Sequence, residues 1–182
     1  SPTLVLQHTQ LAQLYQQGLY TPLALSDAIL LGCVALDKLS VHGIRIIRFG
    51  LHLTEEMKSN AAVIAGPVHP SFGSLVYSAY FYRKIKSFLQ NVSSAAKIIS
   101  FTVSPADLSL FRGSGNSNLT AIKSAYPYAE IQMSTAKNFN RGEIAIWADH
   151  RLVIHTNIYF PPNSLSKKEG ETFCSAPVSS AF

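Results

Sequence analysis

The chain has 182 residues, 47% hydrophobic and 14% charged, with a formal net charge of +5. That length and composition allow one core, or one core with a small appendage, and exclude a broadly disordered chain. The longest apolar stretch, residues 28–36, is bounded by Asp27 and Asp37 and falls short of the roughly 20 residues a spanning helix requires, so no membrane role is expected.

The charge is unevenly placed. Residues 1–100 carry eight Lys/Arg against four Asp/Glu, and residues 101–182 carry seven against six. A mild excess permits contact with nucleic acid without showing it. The N-terminus has no basic-then-apolar export pattern, which makes the cytoplasm the expected location. Cys33 and Cys174 are too far apart for a metal motif and too few for a disulfide framework. Cys33, in an apolar helical run, is expected as a buried small hydrophobe.

In chain order, residues 2–6 form a short apolar run of strand character. Thr9 is placed to cap a helix continuing to Gln17, with Gly18 at its end. After the break at Tyr20-Thr21-Pro22-Leu23, Ser26 is expected to cap a second helix. Its apolar residues Ile29, Leu30, Cys33, Val34, Leu36 and Leu39 recur at helical spacing, and Gly43 suits its C-terminal end. Residues 44–49, β-branched and nearly continuous, read as a buried strand. Helix, glycine turn and buried strand together are the grammar of a parallel α/β sheet or barrel.

Residues 50–74 are loop-rich, and residues 75–89 read as a helix. Residues 91–96 are a polar, small-residue linker and mark an expected boundary. Strand 97–103, short helix 105–111 with Ser104 as cap and Pro105 in its first turn, tight loop 113–116 and helix 117–125 follow. Strands are expected at 130–134, 143–147 and 152–159. Beyond Pro161 the chain turns polar and Pro/Ser-rich, and 161–182 is expected to be a disordered tail.

Three segments carry a family resemblance in their order. The first is Leu14-Tyr15-Gln16-Gln17-Gly18-Leu19-Tyr20-Thr21-Pro22-Leu23. The second is Gly43-Ile44-Arg45-Ile46-Ile47-Arg48-Phe49-Gly50-Leu51-His52, with Thr54-Glu55-Glu56 after it. The third is Ala65-Gly66-Pro67-Val68-His69-Pro70-Ser71-Phe72-Gly73. The set resembles the C-terminal part of Elongator-catalytic-subunit-like radical SAM proteins, over residues 2 to about 147. The resemblance implies the terminal units of a partial (βα) barrel over 1–92; residues 97–160 are read as a small α+β, KH-like appendage, which makes the fold α/β overall. In the intact family a three-cysteine loop holds a [4Fe-4S] cluster that binds and cleaves S-adenosylmethionine. This chain has no C-x-x-x-C-x-x-C, so neither cofactor is expected for it alone. A missing N-terminal half, or self-association, is the implied partner.

Gly50 and His52 follow the expected strand at its C-terminal end, where parallel α/β sheets bind ligands. By resemblance that end lies near the S-adenosylmethionine and substrate cavity, which makes both cofactor-binding candidates and His69 a substrate-binding one. The alternative for His52 and His69 is that they only hydrogen-bond the loop joining them. Arg48, in a buried strand, would need a carboxylate or phosphate partner, which makes it a substrate-binding candidate, with Glu55 or Glu56 as the structural alternative.

Gly113-Ser114-Gly115-Asn116 lies between two short helices, with a strand before the pair and strands after it. This arrangement, with Leu119 and Ile122 behind, resembles a KH nucleic-acid-binding module. There a glycine loop lets backbone N–H groups and a helix N-terminus approach a sugar-phosphate backbone. Arg112 would add a phosphate donor. Asn116 stands where the KH loop has its second glycine. The alternative is a helix N-terminus capped by Ser117 or Asn118. The expected function is thus the substrate-side portion of a radical SAM protein acting on RNA or tRNA, not catalytically competent alone. A non-catalytic RNA-binding module or a remnant interaction domain is the other reading.

Overall fold

The structure, a computed structural model, describes residues 2–50 and 62–160. His52, Thr54, Glu55, Glu56 and Cys174 lie outside the described residues, as does the expected tail.

β1 (Val5–Leu6) pairs antiparallel with β2 (Val63–Ala65). Thr9 accepts a 3.2 Å hydrogen bond from the Ala12 N–H and starts α1 (Gln10–Gln16). α2 (Leu25–Val41) opens at Ala24 rather than at the expected Ser26. No side chain caps it; Asp27 in its first turn sets a negative charge at the positive helix end. Its C-terminus closes as a Schellman motif. Gly43, at φ 66°, donates to Ser40 O at 3.0 Å, and Ile44 N–H donates to Leu39 O at 2.9 Å.

The buried strand expected at residues 44–49 does not form. These residues belong to no strand, Ile47 is 96% exposed and Arg48 is exposed, so no buried charge has to be neutralised there. A β-branched run fits a pleated surface, but it becomes a strand only beside a neighbour that takes up its N–H and C=O groups. Among the described residues the one side-chain bond to its backbone runs from Tyr77 Oη to Ile46 O, at 3.3 Å.

α3 (Phe72–Leu89) starts three residues before the expected Leu75. Its buried stripe of Phe72, Val76, Tyr80, Phe81, Ile85 and Leu89 repeats at helical spacing. α2 crosses it closely at Gly32, where a Cβ would stand 2.7 Å from Val76 Cγ1. Cys33 beside it is fully buried, its thiol 3.7 Å from Val76 O.

The sheet has the order β4-β3-β5-β6. β3 (Ile98–Val103) and β4 (Glu130–Thr135) are parallel neighbours, with Ile99 opposite Ile131. The crossover between them holds a 3-10 turn (Pro105–Asp107), α4 (Leu108–Arg112), a second 3-10 turn (Ser114–Asn116) and α5 (Ser117–Ala125). β5 (Glu143–Ala148) runs antiparallel to β3, and β6 (Arg151–Asn157) antiparallel to β5. The two-residue β5–β6 turn has φ of 45° at Asp149 and 66° at His150, the signs a type I′ hairpin requires.

Alternation sorts the sheet into two faces. Ile99, Phe101 and Val103, with Ile144 and Ile146, are buried in one cluster with Phe81, Ile85, Phe111 and Ile122. The other face carries hydroxyls and amides: Ser100 Oγ lies 3.1 Å from Gln132 Oε1, and Thr102 Oγ1 lies 2.9 Å from Ser134 Oγ. Trp147 stands on this polar face, 38% exposed. The whole is a mixed α/β fold, and its core cluster includes α2 and α3 residues together with those of the sheet.

Candidate nucleic-acid interface

The connection between α4 and α5 is built from backbone conformations that few residues tolerate. Gly113 sits at φ 77°, ψ 169°, Gly115 at φ 57° and Asn116 at φ 62°. A side chain at Gly113 would have no room, since its Cβ would stand 2.6 Å from Ser117 Oγ and 2.9 Å from Asn118 N. Gly115 faces open space. Asn116 holds the left-handed conformation that Asn takes more readily than most residues, as expected for a substitute for glycine. It is also the N-cap of α5, and its side chain makes no capping bond.

The N–H groups of Asn116 and Ser117 are used within the turn, donating to Gly113 O and Ser114 O. Those of Ser114 and Gly115 open the 3-10 turn and have no acceptor along it. Residues 114–117 and Arg112 are exposed, and the first turn of α5 has no acidic residue. Oriented N–H groups, a helix N-terminus and a guanidinium form an environment that favours an anion.

The loop is held from below by Asn118. Its Nδ2 donates toward Ser78 O (3.1 Å), Ser78 Oγ (3.0 Å) and Leu110 O (3.1 Å), and Ser78 Oγ itself donates to Leu110 O at 3.0 Å. This ties α3, α4 and α5 at one point. Asn118 does not cap the helix, and no side-chain cap from Ser117 forms either. The clue in the sequence is an amide placed inside an amphipathic helix between Ser117 and apolar Leu119, where helix propensity does not favour it.

The other candidates gather elsewhere. Gly50, at φ 78°, passes over Phe72, where its Cβ would stand 3.1 Å from the ring. His69 Nδ1 accepts from Ser71 N–H at 3.0 Å, and its carbonyl accepts from Phe72 N–H at 3.1 Å. Gly50 and His69 thus each lie against the start of α3. His69 is engaged with its own loop. Trp147 and Tyr128 are exposed, while Phe139 stacks on His155 with ring centroids 5.1 Å apart.

No group of three His, Cys, Asp or Glu that could hold a metal ion occurs among the described residues. Cys33 is buried, and burial pushes its thiol above the usual range, so it is a poor thiolate ligand. The described residues do not fit an iron–sulfur cluster. None of the described helices is long and apolar enough to cross a membrane.

Residues 1–80 match the family model described as the Radical_SAM C-terminal domain. No curated protein and no solved structure matches the chain.

Proposed function

We propose that this chain is the substrate-side portion of an Elongator-like radical SAM protein whose substrate is RNA or tRNA. The match of residues 1–80 supports the radical SAM part. The observation that carries the RNA part is the helix–loop–helix at residues 108–125: an exposed, acid-free turn with positive φ at Gly113, Gly115 and Asn116, fixed to α3 by Asn118. Connecting two parallel neighbouring strands through this pair of helices is consistent with a KH-like module. In such a module the loop clamps the nucleic-acid backbone.

In the intact family S-adenosylmethionine bound at a [4Fe-4S] cluster supplies the radical chemistry. Two cysteines cannot provide the three clustered thiolates, so that chemistry belongs to a cysteine-bearing half outside these 182 residues. The unpaired segment 44–49, with Ile44 and Ile47 exposed, is the natural place for such a half, or a second copy, to add a strand.

The test is a filter-binding titration of a short single-stranded RNA at two salt concentrations, with circular dichroism as the folding control. Ser114→Asp/Gly115→Asp introduces two carboxylates at exposed positions, and Gly115 faces open space where Asp also tolerates positive φ. The double variant is expected to weaken binding by at least about tenfold through repulsion of phosphate. Arg112→Ala is expected to lower the log–log salt slope by about 0.7, one phosphate contact on a single strand. Unchanged affinity in the folded double variant, or no binding by the wild type at low salt, rejects the RNA reading.

A further inference from the structure

Arg45 and Arg141, nearly a hundred residues apart in the chain, line one cavity of about 460 Å³ between α2, α3 and the end of the sheet. That volume falls in the range of small-molecule sites, roughly 300–1,000 Å³. Residues 113–116 do not line it, so the cavity is independent of the RNA-contacting loop.

Its chemistry is two-sided. Arg141 is anchored through Nε, 3.2 Å from Asp107 Oδ1. A guanidinium held in this way keeps its terminal N–H donors for another acceptor, and the Arg141 side chain is 67% exposed. Arg45 brings the second guanidinium from the unpaired segment 44–49. Among the described residues neither Asp nor Glu lines the cavity, and the Arg45 guanidinium adds a positive charge beside the Arg141–Asp107 pair. Leu36, Ile44, Ile47 and the ring of Tyr77 make the rest of the wall apolar. Tyr159 also lines it, and its hydroxyl is buried without a hydrogen-bond partner among the described residues.

We infer that this cavity binds a small organic oxyanion, a phosphate monoester or a carboxylate, whose charged end lies between Arg45 and Arg141 and whose aromatic or branched aliphatic body lies on the isoleucines and Tyr77. Charge-assisted bonds to guanidinium select the oxyanion, and the apolar wall selects against inorganic ions.

The experiment is calorimetric titration of the full chain with phenyl phosphate, benzoate and inorganic phosphate. At least one of the two organic anions is expected to saturate a single site, and which of them binds tighter identifies the charged group. Inorganic phosphate is expected to bind at least about tenfold more weakly. Arg45 is exposed, so Arg45→Gln should leave the fold intact and weaken the organic ligand by about tenfold or more. The inference fails if neither organic anion saturates by about 10 mM, the limit of useful specific affinity here. It also fails if inorganic phosphate binds as tightly, or if folded Arg45→Gln binds like the wild type. None of these outcomes depends on RNA binding, which is read from different residues.

Discussion

Asp107 and Gly142, 35 positions apart, are joined by a 2.6 Å hydrogen bond from the Gly142 N–H to a carboxylate that is wholly buried. The bond ties the start of the β3–β4 crossover to the start of β5. Asp107→Ala leaves a buried N–H without an acceptor and is expected to cost about 2–4 kcal/mol. Arg141 bonds the same carboxylate from a mostly exposed position where water can take its place in part, so Arg141→Ala should cost less than Asp107→Ala. Urea unfolding of the two variants checks the order. Equal losses would mean that the ion pair, and not the backbone bond, holds the junction.

The two glycines of the interface loop should respond differently to alanine. At Gly113 a Cβ meets Ser117 and Asn118 at under 3 Å in a conformation nearly reserved for glycine, and a loss of about 3 kcal/mol is expected. At Gly115 only the left-handed conformation opposes the change, at about 1 kcal/mol. Thermal melts of Gly113→Ala and Gly115→Ala give the comparison. Only Gly115 variants are then suitable for RNA titration.

Gly32 lets α2 approach α3 over Val76. Gly32→Ala adds a methyl group where 2.7 Å is available and should destabilise by about 1–3 kcal/mol despite the better helix propensity of alanine. Val76→Ala opens the space, so the double variant should be more stable than the sum of the two single losses predicts. A double-mutant cycle measures the coupling, expected at about 1 kcal/mol or more. Additive losses would show that the helices do not press on each other there.

Glu143 accepts a hydrogen bond from Asn140 N–H at 2.9 Å and lies 2.8 Å from His155 Nε2. The Asn140 backbone donor foremost, and His155 after it, hold its carboxyl below the usual glutamate value. A lowered folded value means that the unfolded chain takes up the proton first. The stabilisation is therefore present above the ordinary value of about 4.3 and is lost as pH falls through the lower folded one. Wild type and Glu143→Gln should differ in denaturation midpoint at neutral pH and converge in acid. A difference that persists unchanged into strong acid would remove Glu143 from the account.

Local grammar made much of this fold legible. Thr9, Gly18 and Gly43 mark the helix ends as read, and α5 begins at Ser117 and ends at Ala125. These signals are short-range and depend on caps and left-handed positions. The error at residues 44–49 has the opposite origin: β-branched side chains report a preference for a pleated surface, whereas a strand depends on a neighbour that sequence does not name. In the candidate site the glycine loop was readable. Its attachment through Asn118 to Ser78, and the pairing of Arg45 with Arg141 around one cavity, were not, because spacing along the chain carries no information about side chains brought together by tertiary packing.

The Tyr80 hydroxyl donates to the carbonyl of Ile158 at 3.2 Å, from the middle of α3 to the residue after β6. During synthesis the helix therefore emerges 78 residues before the acceptor that completes its burial. At about 5–20 residues per second that interval is roughly 4–16 s. For that time Val76, Tyr80, Phe81 and Ile85 form an apolar stripe with no sheet to cover it, and closing so long a loop makes the final docking slow. Until β6 has left the ribosome, that stripe is apolar surface the nascent chain leaves exposed to water.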